Sequence, residues 1–195
     1  MAVAAWDLTT LAELRTFLNI VSTHTDHDAL LQSLITQVSG LFNKETHRYL
    51  IAKEYSASIF DAPSGDTLYL PQYPVKEITS LVDNGTTITV ASHFLYKDEG
   101  KFVLDDSNFS GERQGITISF EAGYDSENTD HDPDLANLKN LCNTLASRWF
   151  QISPAHLEHY QAINEETSMA PEVQFDIMPF DITRKLSAYK KRDRF

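Results

Sequence analysis

Apolar residues recur every three or four positions near the start and again in the last third of the chain, and every second position between, which predicts helices flanking a run of strands. Thr10 and Glu13 form a Thr-x-x-Glu capping box ahead of Leu11, Leu14, Phe17 and Leu18, so a first helix is expected to end near Asn19. A second is expected after His24-Thr-Asp-His-Asp28, with Asp26 as cap and Leu30, Leu31, Leu34, Ile35, Val38, Leu41 and Phe42 on one stripe. It should fade past Gly40 or a turn later, because glycine is a poor helix former and Asn43 opens a polar run.

From about Leu50 to Tyr124 the period falls to two, which predicts a small antiparallel sheet. Its strands are expected at 51–60, 67–70, 77–82, 87–90, 94–97, 101–104 and 115–122. Asn84-Gly85 is a type I′ hairpin signal, since both residues tolerate positive φ; Pro63 to Asp66 and Glu99-Gly100 are further turns. Asp132-Pro133 opens a third helix through Leu135, Leu138, Leu141, Cys142, Leu145, Ala146 and Trp149.

After Ser153-Pro154 a short helix is expected at 155–163 and a polar linker at 164–172. The last segment alternates apolar anchors with a basic end: Phe175, Ile177, Met178, Pro179, Phe180, Ile182, Leu186 and Tyr189, then Lys190, Lys191, Arg192 and Arg194. The expected fold class is therefore α+β, a small helical bundle with an antiparallel β insertion and an extended C-terminal arm. Residues 1–153 form the core domain, with helices at 8–19, 26–43 and 132–151 and the β insertion at 50–124. Residues 154–172 are the short helix and linker, and 173–195 the arm.

Charge sharpens this division. The whole chain carries -12, yet residues 184–195 hold six basic side chains against one acidic, so they carry +5 and the other 183 residues -17. So acidic a chain, with pI near 4.9, argues against holding nucleic acid by its phosphates. The 195 residues, 42% hydrophobic, suit one sizeable core with appendages. The single cysteine, Cys142, requires no oxidising compartment, and neither a signal nor a membrane anchor is expected.

Candidate chemistry is sparse. His156-Leu-Glu-His159 spaces its histidines at i and i+3, whereas a zincin helix needs His-Glu-x-x-His, so a solvated helix face is the better reading. His24 to Asp28 reads as a helix entry with aspartates at the positive N-terminus. Cys142 lies on an apolar stripe and reads as a small buried hydrophobe. The acidic turn Asp98-Glu99 and the pair Asp105-Asp106 lack the Asp-x-Asp-x-Asp-Gly pattern of a calcium loop. No phosphate-binding, hydrolase or dinucleotide motif occurs, so neither catalytic nor metal residues nor a cofactor are expected. Trp6, the stretch from Tyr124 to His131 and Trp149-Phe150 are candidate interface aromatics, with core packing favoured for Trp149.

Several ordered segments carry a resemblance. Leu8-Thr-Thr-Leu-Ala-Glu-Leu-Arg-Thr-Phe-Leu and Asp28-Ala-Leu-Leu-Gln-Ser-Leu-Ile look like the first two helices of the head-tail connector (adaptor) proteins of long-tailed bacteriophages and phage-derived particles. Leu70-Pro-Gln-Tyr-Pro-Val-Lys-Glu-Ile-Thr-Ser-Leu-Val-Asp-Asn-Gly is similar to that family's "L-x-x-Y-P-V-x-x-I-x-S-V-x-x-D/N-G" segment. Phe120-Glu-Ala-Gly-Tyr, followed by Asp132-Pro-Asp-Leu, resembles its strand ending in "AGY" and the proline-led last helix. Met178-Pro-Phe-Asp-Ile-Thr-Arg-Lys-Leu-Ser-Ala-Tyr-Lys-Lys looks like the "LP-x-x-V-x-x-L-x-x-Y-R-R" ending of longer members, with Met and Lys for the commoner Leu and Arg.

The resemblance implies a structural virion protein, assembled in the bacterial cytoplasm and placed at the head-tail interface. It implies a homo-oligomeric ring, twelve-fold in related assemblies, that docks on the portal protein, extends the DNA channel and receives a stopper or tail-completion protein. It implies passage of DNA without specific binding. Phe175, Met178, Pro179, Phe180, Ile182, Leu186, Tyr189, Lys190, Lys191, Arg192, Arg194 and Phe195 are the expected portal-binding residues, since a segment this short cannot bury its apolar side chains against itself. The alternatives are a stopper or tail-completion protein and an unrelated monomeric α+β binding protein, which would need a pocket with convergent polar groups.

Overall fold

The computed structural model describes residues 6–21, 23–125, 132–153 and 178–191. Its helices are α1 (Leu11–Phe17), α2 (Asp28–Thr46), α3 (Asp132–Gln151) and α4 (Phe180–Leu186). Seven strands lie between α2 and α3: β1 (Lys53–Phe60), β2 (Thr67–Tyr69), β3 (Val75–Asp83), β4 (Thr86–Thr87), β5 (Phe94–Tyr96), β6 (Lys101–Val103) and β7 (Ile116–Ala122). The chain gathers into two units, a helical one from Met1–Thr46 and Asp134–Lys190 and a strand unit built on His47–Pro133. The predicted short helix at 155–163 and linker at 164–172 lie outside the described residues.

In the helical unit the capping box forms as expected. Thr10 Oγ1 accepts from the Glu13 N–H at 3.2 Å, and Glu13 Oε2 accepts from the Thr10 N–H at 2.8 Å. Leu14 is buried, but Phe17, expected on the same face, is exposed, because α1 lasts only two turns and turns that position outward. Helix α2 begins at Asp28, whose carboxylate pairs with Arg15, and runs past Gly40 and Asn43 to Thr46. Leu31, Leu34, Ile35, Val38 and Phe42 supply the buried stripe that outweighs the local propensities. Helix α3 buries Leu135, Leu138, Leu141, Cys142, Leu145, Ala146 and Phe150. The Leu8 N–H donates to Ser39 Oγ at 3.0 Å, which fixes the chain before α1 to α2.

The strand region forms two antiparallel sheets rather than one: β1-β7-β3-β4, and β2-β6-β5. The second sheet is built from three strands of three residues each. These strands turn Leu68 and Phe102 into a shared apolar cluster with Leu81, Ile116, Ile118 and Phe120. The predicted 87–90 strand is a two-residue edge followed by a 3₁₀ turn at Val90–Ser92. Asn84 and Gly85 take φ of 46° and 80°, the hairpin geometry that their sequence calls for.

Two tyrosines close the strand unit around a cation. Arg48, 4% exposed, donates to the Tyr73 carbonyl at 2.6 Å and to the Tyr124 hydroxyl at 3.3 Å. Its guanidinium lies 4.1 Å from the centre of the Tyr73 ring. Beside it the Tyr124 N–H donates to the Leu50 carbonyl at 2.7 Å, and the Ala52 N–H to the Tyr124 carbonyl at 3.0 Å. This pairing brings Gly123, at φ 125°, so close that a Cβ there would lie 2.6 Å from the Ile51–Ala52 backbone. Glycine is required on both counts. Gly123→Ala is therefore expected to destabilise the fold by more than about 1 kcal/mol, read as a lower urea midpoint with secondary structure retained below it.

Candidate docking surface

The C-terminal segment does not remain extended over its described part. Residues 180–186 form α4, and a 3₁₀ turn follows at Ser187–Tyr189. Pro179 precedes the helix without a side-chain cap, and seven residues are too few for a helix to stand alone. What holds α4 is tertiary: Ile182 and Leu186, one turn apart, are 1% and 0% exposed, and the helix packs against α2. Burial of this kind contributes roughly 1.5–3 kcal/mol per side chain.

Polar contacts surround that apolar seat. Asp181 receives the Arg148 guanidinium of α3 at 3.3 and 3.4 Å, and this hydrogen bond holds its carboxyl below the usual range. The Tyr189 hydroxyl donates to Asp134 Oδ1 at 3.2 Å, and Lys190 pairs with Glu45 at the end of α2.

The residues expected to dock thus fall into three groups. Ile182 and Leu186 are buried, while Tyr189 and Lys190 are half-buried and engaged within the helical unit. The segment does not bury these apolar side chains against itself; α2 supplies the surface it lacks. Met178 and Pro179 are half-buried, Lys191 is exposed, and Phe180 is the most exposed large apolar side chain among the described residues, at 78%. Phe175, Arg192, Arg194 and Phe195 lie outside the described residues, as do Ile177, His156, Glu158 and His159.

Other chemistry is accounted for locally. Cys142 is buried and contacts Ser39 Oγ at 3.8 Å; burial pushes its thiol up to about 12. Among the described residues no group of three or more His, Cys, Asp or Glu side chains has a metal-binding arrangement. An open groove of about 580 Å³ in the strand unit is lined by Thr, Ser and Asn side chains with His93 and Asp83. The Asp83 carboxylate is already occupied by the Ser110 N–H and hydroxyl, at 2.7 and 2.5 Å. Trp6 is exposed, Trp149 half-buried, and Phe150 buried against the edge of His27 at 5.4 Å. No described helix is long and apolar enough to cross a membrane.

A helical unit interrupted by a strand excursion is an α+β architecture. Residues 8–80 match the model of the phage gp6-like head-tail connector protein family. The resemblance read from the sequence is borne out there. The fold is similar to chains in three solved structures. In the neck of an empty GTA particle computed with C6 symmetry, the TM-score is 0.62 at 20% identity, covering 100% of this chain and 95% of that one. In the neck of a native GTA particle computed with C12 symmetry, the values are 0.58 and 19%, covering 100% and 94%. In the virion of a native gene transfer agent particle they are 0.57 and 19%, covering 100% and 95%. No curated protein sequence matches the chain.

Two measurements test the helical unit. The Cys142 thiol is expected to react with a disulfide reagent only as fast as the protein unfolds, and the rate should rise with urea in step with loss of helix. Burial raises the Glu13 pKa, but hydrogen bonds from Lys139, Thr10 and Thr9 outweigh it and bring the carboxyl from 4.5 down to about 2. Its folded pKa is depressed, so its stabilisation is present above pH 4.5 and lost as pH falls toward 2. The midpoint difference between wild type and Glu13→Gln should shrink across that window.

Proposed function

We propose that the chain is a head-tail adaptor of a phage or phage-derived particle, a structural virion protein that forms a ring of its own copies and docks on the portal. The observation that carries this is the family match over residues 8–80, joined to a likeness of fold that covers the whole chain. The chain's part is assembly and passage: the ring extends the DNA channel, and its far side receives a stopper or tail-completion protein. It makes and breaks no bond. The acidic body suits that task, because DNA phosphates find few cations there to exchange for their counterions.

Docking falls to the C-terminal segment. Ile182, Leu186, Tyr189 and Lys190 serve as its anchor on the helical unit, which leaves the flanking residues to meet the portal. These are Phe175, Met178 and Pro179 before α4, and Lys191, Arg192, Arg194 and Phe195 after it. Apolar side chains supply affinity in such a contact, and the basic end sets its orientation.

The test is electron microscopy of purified protein mixed with portal-bearing heads. The full chain is expected to decorate the portal as a ring, and a variant carrying Lys191→Glu, Arg192→Glu and Arg194→Glu to leave it bare while melting with wild type. Bare heads with the full chain would reject the adaptor reading in favour of a stopper or tail-completion role. Decoration by the variant equal to wild type would keep the adaptor and remove the segment's part in docking.

A further inference from the structure

We infer that the outward side of α4 is a contact between copies, with Phe180, Arg184 and Lys185 of one chain received by the acidic surface of a second. The inference rests on the ring part of the reading above and names the seam of that ring.

Self-association of this protein has an electrostatic obstacle. Each copy carries a formal -12, and like-charged bodies repel at the short range a ring requires. A stable seam must therefore bring positive charge against negative. The chain concentrates its cations in one place, with six of its 16 lysines and arginines within residues 184–195.

The structure shows which of those cations are spent. Lys190 is paired with Glu45, and elsewhere Lys76, Lys139 and Arg148 are paired with Glu121 and Asp125, Glu13, and Asp181. Arg184 and Lys185 are exposed and form no ion pair among the described residues. The carboxylate nearest them in sequence, Asp181, is held by Arg148, so nothing on α4 itself neutralises them. One turn before Arg184 stands Phe180, 78% exposed although Ile182 and Leu186 on the same short helix are buried. The helix thus has an anchored side facing its own unit and a presented side on which Arg184 stands one turn after an aromatic ring, with Lys185 exposed at its margin, neither cation paired among the described residues. An aromatic anchor with adjacent basic groups is how interface hot spots are built. The matching charge is the rest of the chain, 183 residues carrying -17, so a second copy is a complementary partner. The contact joins unlike patches, a head-to-tail arrangement that closes into a ring where the rotation permits.

The experiment is sedimentation velocity on the full chain, without portal, at about 50 mM and about 500 mM salt, where screening lengths differ severalfold. Wild type is expected to associate at low salt and to dissociate as salt rises. Phe180→Ala and the pair Arg184→Glu with Lys185→Glu are each expected to weaken association at least about tenfold while melting with wild type, since all three side chains are exposed. A wild type that stays monomeric, association indifferent to salt, or variants that associate like wild type would each overturn the seam. Retention of duplex DNA by monomeric wild type and not by the charge-reversed pair would assign the stripe to nucleic acid and overturn it equally. The docking reading is judged separately on portal-bearing heads. Association with bare heads sinks docking alone, whereas complete rings of the charge-reversed pair on heads sink the seam alone.

Discussion

A guanidinium 4% exposed to solvent is costly unless its charge and its donors are met, and the strand unit is organised around meeting them. Arg48 stands just before the strands begin, Tyr73 just before β3 and Tyr124 just after β7, so one cation joins three distant stretches of chain. The backbone pairing of Leu50 and Ala52 with Tyr124 seals the same point. As a result the excursion leaves and returns at one place. An insertion with joined ends can be carried by a helical unit whose own two halves are far apart in sequence.

That closure gives physical content to motifs which in sequence are only letters. The tyrosine of Tyr73-Pro-Val supplies a carbonyl and a ring face to Arg48, and the tyrosine of Ala-Gly-Tyr124 supplies a hydroxyl. The glycine between is required by a backbone 2.6 Å from where its Cβ would stand. Arg48 itself was not legible, because an isolated arginine in His47-Arg-Tyr-Leu reads as a surface residue and only the long-range contacts reveal its burial.

Where a local signal and a tertiary demand agree, the sequence was readable: the Thr10–Glu13 box, the Asn84-Gly85 hairpin, the stripes of α2 and α3 and the order of seven strands. Where they compete, packing prevailed. Helix α2 continues through Gly40 because its stripe extends to Phe42, and the strands divide into two sheets because period-two alternation marks a buried face without saying which sheet shares it. The C-terminal segment was legible as apolar then basic. Its seat was not, since the i and i+4 spacing of Ile182 and Leu186 falls in a stretch too short and too poorly capped to announce a helix, and the surface that completes it belongs to α2.

The helical unit is split in the chain: α1 and α2 come first, and α3 and α4 only after all seven strands. During synthesis the strand unit is continuous and can fold while much of the helical apolar stripe still waits for its partners. Ser39 of α2 meets Cys142 only once α3 has been made, and the buried Ile182 and Leu186 come later still. A truncated translation product would therefore carry a finished strand unit on an open helical one, with apolar surface for chaperones and proteases to recognise. Only a chain extended through Leu186 has α4 in place to cover α2.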